Sequence, residues 1–431
     1  VSDSTRDLLV RGIAAAKGNS KQEARFYLEW VLRAPDAEPS QLQEAWKQLA
    51  EITDDPKKKR DCLEQALAYD PTDPEARRAL AILDGKLKPE DIVNPDRSTA
   101  PAPPASPQRV QARRFVCTNC GGKMAFATDG NMLVCAYCGR RQSVLSAMDE
   151  GAMVAEQDFI VALATAQGHA MPVATQALKC QGCGASFILS PQTLSTACPY
   201  CASAYVVEQT ETRALIPPEG VVPFSVTQDE AQRAVLDWYR SQGFKVLSVK
   251  ALPSGVYLPW WTFDVDGEIT WNCLVKQNDA WESRSGSQVV YENDLLIAAS
   301  HTLSAELTAT IDKAPLAQIV PYDARYLAGW PAETYQISVS DASLAVRSRV
   351  LAKTRPQIEA GITESFKNLQ LNPLKMVIES YKLILVPMWI ARYRYDQVWY
   401  NVVVDGRTGV ARGEKPRQGV SGWLSGLIGS P

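Results

Sequence analysis

Residues 117–138 read CTNCGGKMAFATDGNMLVCAYC, and residues 180–201 read CQGCGASFILSPQTLSTACPYC. Each is a C-x2-C-x14-C-x2-C block, and the second repeats the first at an offset of 63 residues. Two thiolates three residues apart on a tight turn share one ion. A second such turn across a short hairpin completes a tetrahedron with Zn–S distances of about 2.3 Å. The spacing predicts two tetrathiolate sites, one of Cys117, Cys120, Cys135 and Cys138 and the other of Cys180, Cys183, Cys198 and Cys201. Two structural zinc ions are expected, with iron as the alternative that geometry alone leaves open. A catalytic zinc keeps one position for water or substrate, and four cysteines leave none, so the blocks point to structure and recognition rather than hydrolysis.

Working outward, each block reads as a zinc ribbon. In the first, over 115–145, residues 124–128 (MAFAT) and 132–134 (MLV) flank Asp129-Gly130, a strong hairpin signal. Gly121 and Gly139 directly follow the second cysteine of each pair, where the chain must turn back around the metal and leave N–H groups for the thiolates. The second ribbon, 178–210, repeats the plan with residues 186–189 (SFIL), a Ser-Pro turn and residues 204–207 (AYVV); Gly184 keeps its place, while Ala202 replaces the second glycine. About 30 residues bury too little apolar surface to fold alone, whereas structural zinc contributes on the order of 10–16 kcal/mol in comparable peptides. The ribbons differ in charge. Arg109, Arg113, Arg114, Lys123, Arg140 and Arg141 face only Asp129 as an acid around the first, and the second is nearly uncharged. Nucleic-acid contact through Arg113, Arg114, Lys123, Arg140 and Arg141 is one reading of this charge, and a solubilising surface is the other. In the connecting segment 146–177, apolar residues from Ala152 to Ala166 predict an amphipathic helix over 149–167. His169 beside it is not expected to be a ligand, since both sites are already complete.

Residues 1–85 read as antiparallel helices, with apolar residues at helical spacing in Leu8, Leu9, Ile13 and Ala16, then Phe26, Leu28, Val31 and Leu32, then Ala45, Leu49 and Ile52. The same spacing continues in Leu63, Ala66 and Leu67 and in Ala79, Leu80 and Ile82. LEWVL at 28–32 and LEQAL at 63–67 lie 35 residues apart, and DPTDP at 70–74 supplies a helix stop and restart. A short tetratricopeptide-like array is expected, offering a surface to a protein partner. A Pro/Ala-rich linker follows over 86–114. From 211 to 416 the pattern is α+β. Thr227 and Glu230 form a capping box, residues 257–265 read as a strand continuing through 268–276, and a helix over 341–369 is expected to be interrupted at Pro356. VPF at 222 is echoed by VPY at 320, and LPWW at 258 by VPMW at 386, which predicts an internally duplicated domain. Its aromatics, among them Trp260, Trp261, Phe263, Trp389 and Tyr393, are read as sheet core. In the tail, 417–431, Val420, Trp423, Leu424, Leu427 and Ile428 share one face. Docking on its own domain, on a partner or as a peripheral contact on a membrane surface are all open to it.

The chain of 431 residues, 46% hydrophobic with a net charge of −3, is long enough for several domains and is not a basic nucleic-acid coat. Eight of its ten cysteines have metal spacing, and no apolar run approaches the roughly 18 residues of a membrane span, so a reducing cytoplasm is expected. Cys62 and Cys273 are read as small hydrophobes. No nucleotide-binding loop, G-x-S-x-G or H-E-x-x-H motif occurs, and with only two histidines a non-enzyme is expected, with no catalytic residues and no organic cofactor.

These residues together resemble a group of uncharacterised bacterial zinc-ribbon proteins, often labelled as relatives of primosomal protein N-prime or as carrying TFIIB-type ribbons. The resemblance rests on CQGCGASF at 180, CPYC at 198, LIPP at 215, VPF at 222, YLPWWTFD at 257 and VDGRTG at 404, and it covers roughly 117–416. A helicase activity does not carry over, because unwinding needs the missing nucleotide-binding loop. Some similar proteins look like membrane-associated adaptors with spans after the last hairpin, which this sequence lacks. The expected fold is multidomain α+β, with N-terminal helical repeats, two zinc ribbons and a duplicated C-terminal domain. The expected function is a non-enzymatic zinc-binding adaptor or scaffold, with nucleic-acid binding through the basic ribbon as the alternative.

Overall fold

The computed structural model describes residues 4–93, 108–109, 111–128, 131–144, 153–170, 176–179, 181, 186–189, 193–197, 204–208, 216–242, 252–277, 280–308, 316–395 and 398–414. The expectations for Cys180, Cys183, Cys198, Cys201, most of the linker, the Asp129-Gly130 turn and the C-terminal tail fall outside these residues.

Five helices open the chain: α1 (Thr5–Lys17), α2 (Lys21–Arg33), α3 (Pro39–Ile52), α4 (Pro56–Tyr69) and α5 (Pro74–Leu83). Their ends are written locally. Ser4 and Asp7 close a capping box on α1, and Asp73 accepts from the Glu75 and Ala76 amides at the start of α5 with Pro74 in the first turn, so the DPTDP stop and restart falls where the sequence puts it. Each helix packs on the next, and α1 also packs on α3. Ala24, Leu28, Val31, Ala45, Leu49 and Ile52 form their core. Phe26 is a correction: it is 57% exposed. It lies about 200° around the helix from Leu28, on the side opposite the stripe that Ala24, Leu28 and Val31 bury.

The middle of the chain alternates short strands. β1 (Gln108–Arg109) and β2 (Gln111–Arg114) lead into the first block, whose sheet is β3 (Met124–Ala127), β4 (Met132–Cys135) and β5 (Arg141–Ser143). β6 (Gln157–Asp158) and the six-residue α6 (Phe159–Ala164) follow. The long helix expected over 149–167 is therefore not formed. Gln157 and Asp158 are drawn into a ladder with Tyr381 and Ser380, and the Asp158 carboxylate starts α6 by accepting from the Ile160 and Val161 amides. β7 (Gln176–Lys179), β8 (Ser186–Leu189), β9 (Thr193–Ala197) and β10 (Ala204–Glu208) surround the second block.

The C-terminal region comprises β11 (Gly220–Val221), α7 (Gln228–Ser241), β12 (Ser254–Gln277), β13 (Ala280–Ala298), α8 (Ala305–Thr308), β14 (Val320–Pro321), β15 (Ala332–Glu333), α9 (Val339–Gly361), β16 (Phe366–Tyr395), β17 (Val398–Asp405) and β18 (Ala411–Gly413). Antiparallel pairing gives the order β13-β12-β16-β17-β18. The sheet then extends through β15, β9, β10 and β2, which joins β9 and β10 of the second block to it, while β7 and β8 form a separate sheet with β1. Leu258 stands directly opposite Val386, and Val221 opposite Val320, so the echoed motifs lie side by side. The Thr227–Glu230 capping box forms as expected. Pro356 does not interrupt α9, another correction. Val346, Val350, Thr354 and Ile358 bury one face of the helix through the proline, and the segment from Phe366 onward is strand rather than helix. Trp260, Trp261, Phe263, Trp389 and Tyr393 are all buried, as sheet core.

The helical array is docked on the sheet. Arg77 of α5 forms a two-pronged ion pair with Glu379 of β16 at 3.0 and 2.6 Å, and Ala81, Leu87 and Ala164 form a small core under it. Phe159 of α6 in turn packs edge-on against Phe263 and Tyr381. The molecule is thus a multidomain α+β protein with an N-terminal helical region and a large mixed sheet. Among the described residues no helix is long and apolar enough to cross a membrane.

Candidate metal centre

The first block folds as two like turns. The Cys117 amide donates to the Gly122 carbonyl at 2.7 Å and the Gly121 amide to the Cys117 carbonyl at 2.9 Å; the Cys135 amide donates to the Arg140 carbonyl at 2.9 Å and the Gly139 amide to the Cys135 carbonyl at 3.1 Å. Gly121 and Gly139 have φ of +70° and +69°, so the residues that the spacing marks as turn glycines need the left-handed conformation. A Cβ on Gly122 would lie 2.5 Å from the Tyr137 ring.

These turns bring the four sulfurs together. All lie within 4.8 Å of one another, with Cys117 Sγ to Cys138 Sγ at 3.7 Å and Cys120 Sγ to Cys135 Sγ at 3.5 Å. A tetrahedron with Zn–S bonds of about 2.3 Å has edges of about 3.8 Å, so the cluster has the size of a tetrathiolate metal site. None of the four cysteines is in a disulfide. Cys117 and Cys135 are buried and Cys120 and Cys138 exposed. The Arg140 amide, with sulfur neighbours, pulls the Cys138 thiol down to about 6, and the Cys138 and Tyr137 amides pull Cys135 down. The Gly122 amide favours the Cys120 thiolate, but the surrounding sulfurs outweigh it and push that thiol up to about 12. Four thiolates in this space need a cation among them, and the donor set suits a soft divalent ion. The group can hold one metal ion.

The ribbon is braced from one side. The Phe126 amide donates to the Ala328 carbonyl at 2.8 Å, its carbonyl accepts from Trp330 Nε1 at 2.9 Å, and its ring meets Tyr326 at 5.1 Å. Gly329 has φ of +84°, and a Cβ there would come within 2.8 Å of Ala125 Cβ. Tyr137, an aromatic residue between the ligands Cys135 and Cys138, is 78% exposed. Arg113, Arg140 and Arg141 are exposed and Arg114 and Lys123 half-buried; the Arg113 guanidinium sits 5.5 Å over the Phe115 ring. The Arg109 side chain falls outside the described residues.

Around the second block, two of the first block's pairings recur at the same offset, but the β3–β4 hairpin pairing does not: β8 pairs with β7, and β9 with β10 and β15. Val134 pairs with Arg141 and Leu133 with Gln142 in one; Ala197 pairs with Ala204 and Thr196 with Tyr205 in the other. The Val116–Lys123 bridge likewise matches the pairing of Lys179 with Ser186. His169 Nε2 bonds the Leu163 carbonyl at 3.0 Å, Cys273 is buried, and burial pushes the half-buried Cys62 thiol up.

No family model matches the chain, and no solved structure matches it. It is similar to the uncharacterized protein YdjG of Bacillus subtilis strain 168, with 25% identity over 340 residues, which is 73% of this chain and 94% of that protein.

Proposed function

We propose that the chain is a zinc-binding adaptor in which two metal-held ribbons fix the helical array and a duplicated sheet domain as one scaffold for a protein partner. The observation that carries the reading is the closed four-sulfur cluster, which leaves no open position for chemistry while its ribbon is bonded to Ala328 and Trp330. The Lys179–Ser186 and Ala197–Ala204 pairings, which match pairings of the first block, together with the identical cysteine spacing support a second zinc in the same donor arrangement. The duplication is supported by two reciprocal bonds: Trp261 Nε1 donates to the Ile337 carbonyl ahead of α9 at 2.9 Å, and Trp389 Nε1 to the Val226 carbonyl ahead of α7 at 3.0 Å. Metal analysis of the purified chain should give two zinc ions, falling to one in Cys117→Ser. One or none in the parent, or an unchanged content in the variant, overturns the assignment. For the adaptor role, partners bound by the full chain should be lost when residues 1–98 are removed.

The exposed Tyr137, three residues before the exposed Arg140, favours a second reading, contact of the basic ribbon with nucleic acid through a stacking ring and cations. Titration with single- and double-stranded DNA and RNA separates the two, since phosphate contacts weaken steeply with added salt.

A further inference from the structure

Two clefts occupy corresponding places in the sheet domain, each between the first turns of a helix and the chain leaving a long strand. The one at α7 is lined by Glu230, Arg233, Asp237 and Arg407, charges of both signs. The one at α9 is an open cleft of about 710 Å³ with Trp260, Ile297, Leu303, Ile337, Ala342 and Ala345 along it. The correspondence follows the reciprocal indole bonds. Val226 lines the first cleft and Ile337 the second, and Glu230 and Asp341 hold the same place in their helices. The α9 cleft has the larger share of apolar residues, although Asp341 and Arg349 also line it.

Beside this cleft, one of its lining residues carries an unmet donor. Trp260 is 1% exposed, and its Nε1–H has no hydrogen-bond partner. Native structures seldom leave a buried N–H uncompensated, and the adjacent Trp261 is satisfied by Ile337. Arg349, whose Nη1 donates to the Leu296 carbonyl, and His301 lie on the cleft lining, as does Asp341, whose carboxylate is engaged by Ser338 Oγ at 2.7 Å. The volume lies within the range of about 300–1,000 Å³ typical of small-molecule sites, which pair apolar walls with a few placed polar groups.

We propose that this cleft binds an apolar carboxylate, its hydrocarbon body against Ile297, Leu303 and Ile337 and its carboxylate accepting from Trp260 Nε1 in the field of Arg349. An acceptor satisfies the indole, an anion suits the guanidinium, and the walls select a water-poor body. Calorimetric titration of the full chain with decanoate tests this, with decyltrimethylammonium as the probe of equal chain length and opposite charge. One decanoate should bind saturably and the cation should not. Trp260→Phe, which keeps the ring and removes the donor, should weaken decanoate about tenfold. Ala345→Phe, on the exposed side of α9, should fill the cleft and abolish binding while far-UV circular dichroism and metal content stay those of the parent. Absence of saturable decanoate binding, equal binding of the cation, or binding that survives both substitutions overturns the proposal.

Discussion

At the scale of the residue, Glu219 is the group whose behaviour the fold changes most. Its Oε2 accepts the Leu383 amide at 2.6 Å, and its own amide donates to the Leu383 carbonyl at 2.9 Å, so it pins the segment before β11 to β16. Burial pushes its carboxyl from 4.5 to about 7, against the pull of the Leu383 amide and Lys382. A raised carboxyl favours the protonated native state, so this contribution is complete below pH 4.5 and is lost as pH rises through about 7. The shift corresponds to roughly 3 kcal/mol. Glu219→Gln keeps an oxygen acceptor without the charge. It should match the parent in denaturant stability at pH 4.5 and exceed it increasingly toward pH 8; a gap that does not change with pH would refute the account. Nothing around Glu219 in the sequence announces this, because its burial comes from β16, more than 160 residues away. The four cysteines of the first block were legible for the opposite reason, since each pair spans a single turn.

Among the elements, α7 and α9 both start at a side-chain cap but are stabilised differently. The start of α7 is a complete capping box: Thr227 Oγ1 accepts the Glu230 amide, and Glu230 returns a carboxylate oxygen to the Thr227 amide at 2.8 Å. Thr227→Ala should lower stability by about 1 kcal/mol, and Thr227→Ser should restore most of it, read as shifts in the denaturation midpoint. α9 instead tolerates a proline in its body, where an isolated helix would lose about 3 kcal/mol. Its buried face on β12, β13 and β16 outweighs that local cost, which is why the interruption read from Pro356 is not formed. The same competition decides the segment 153–170. Its helical periodicity is real, but pairing of Gln157 and Asp158 with β16 shortens the helix to six residues.

Across the whole molecule, the array and the sheet meet through few groups, so their coupling is open to a charge test. The Arg77 side chain is 17% exposed and Glu379 46%, which places the pair where ion pairs contribute about 1 kcal/mol or less. Arg77→Glu should lower hydrogen-exchange protection in α5 and α6 while leaving α1 and α2 unchanged. Combining it with Glu379→Arg should recover that protection, whereas a double variant no better than the single would show that the pair does not couple the two regions.

The sequence by itself determined the ligand spacing, the turn glycines, the helix caps and the aromatic strands. Each of these is set by residues within a turn or by a period of 2 or about 3.6. Tertiary structure alone decided that the array rests on α6 and β16, that Leu258 faces Val386, and that the donor of Trp260 is left buried beside a cleft. Those outcomes depend on the register of strands more than 100 residues apart, where a slip of one residue would turn every side chain to the other face. The cysteine blocks could be read because their chemistry is local; the cleft could not, because its walls come from β12, β13, α9 and the chain between them.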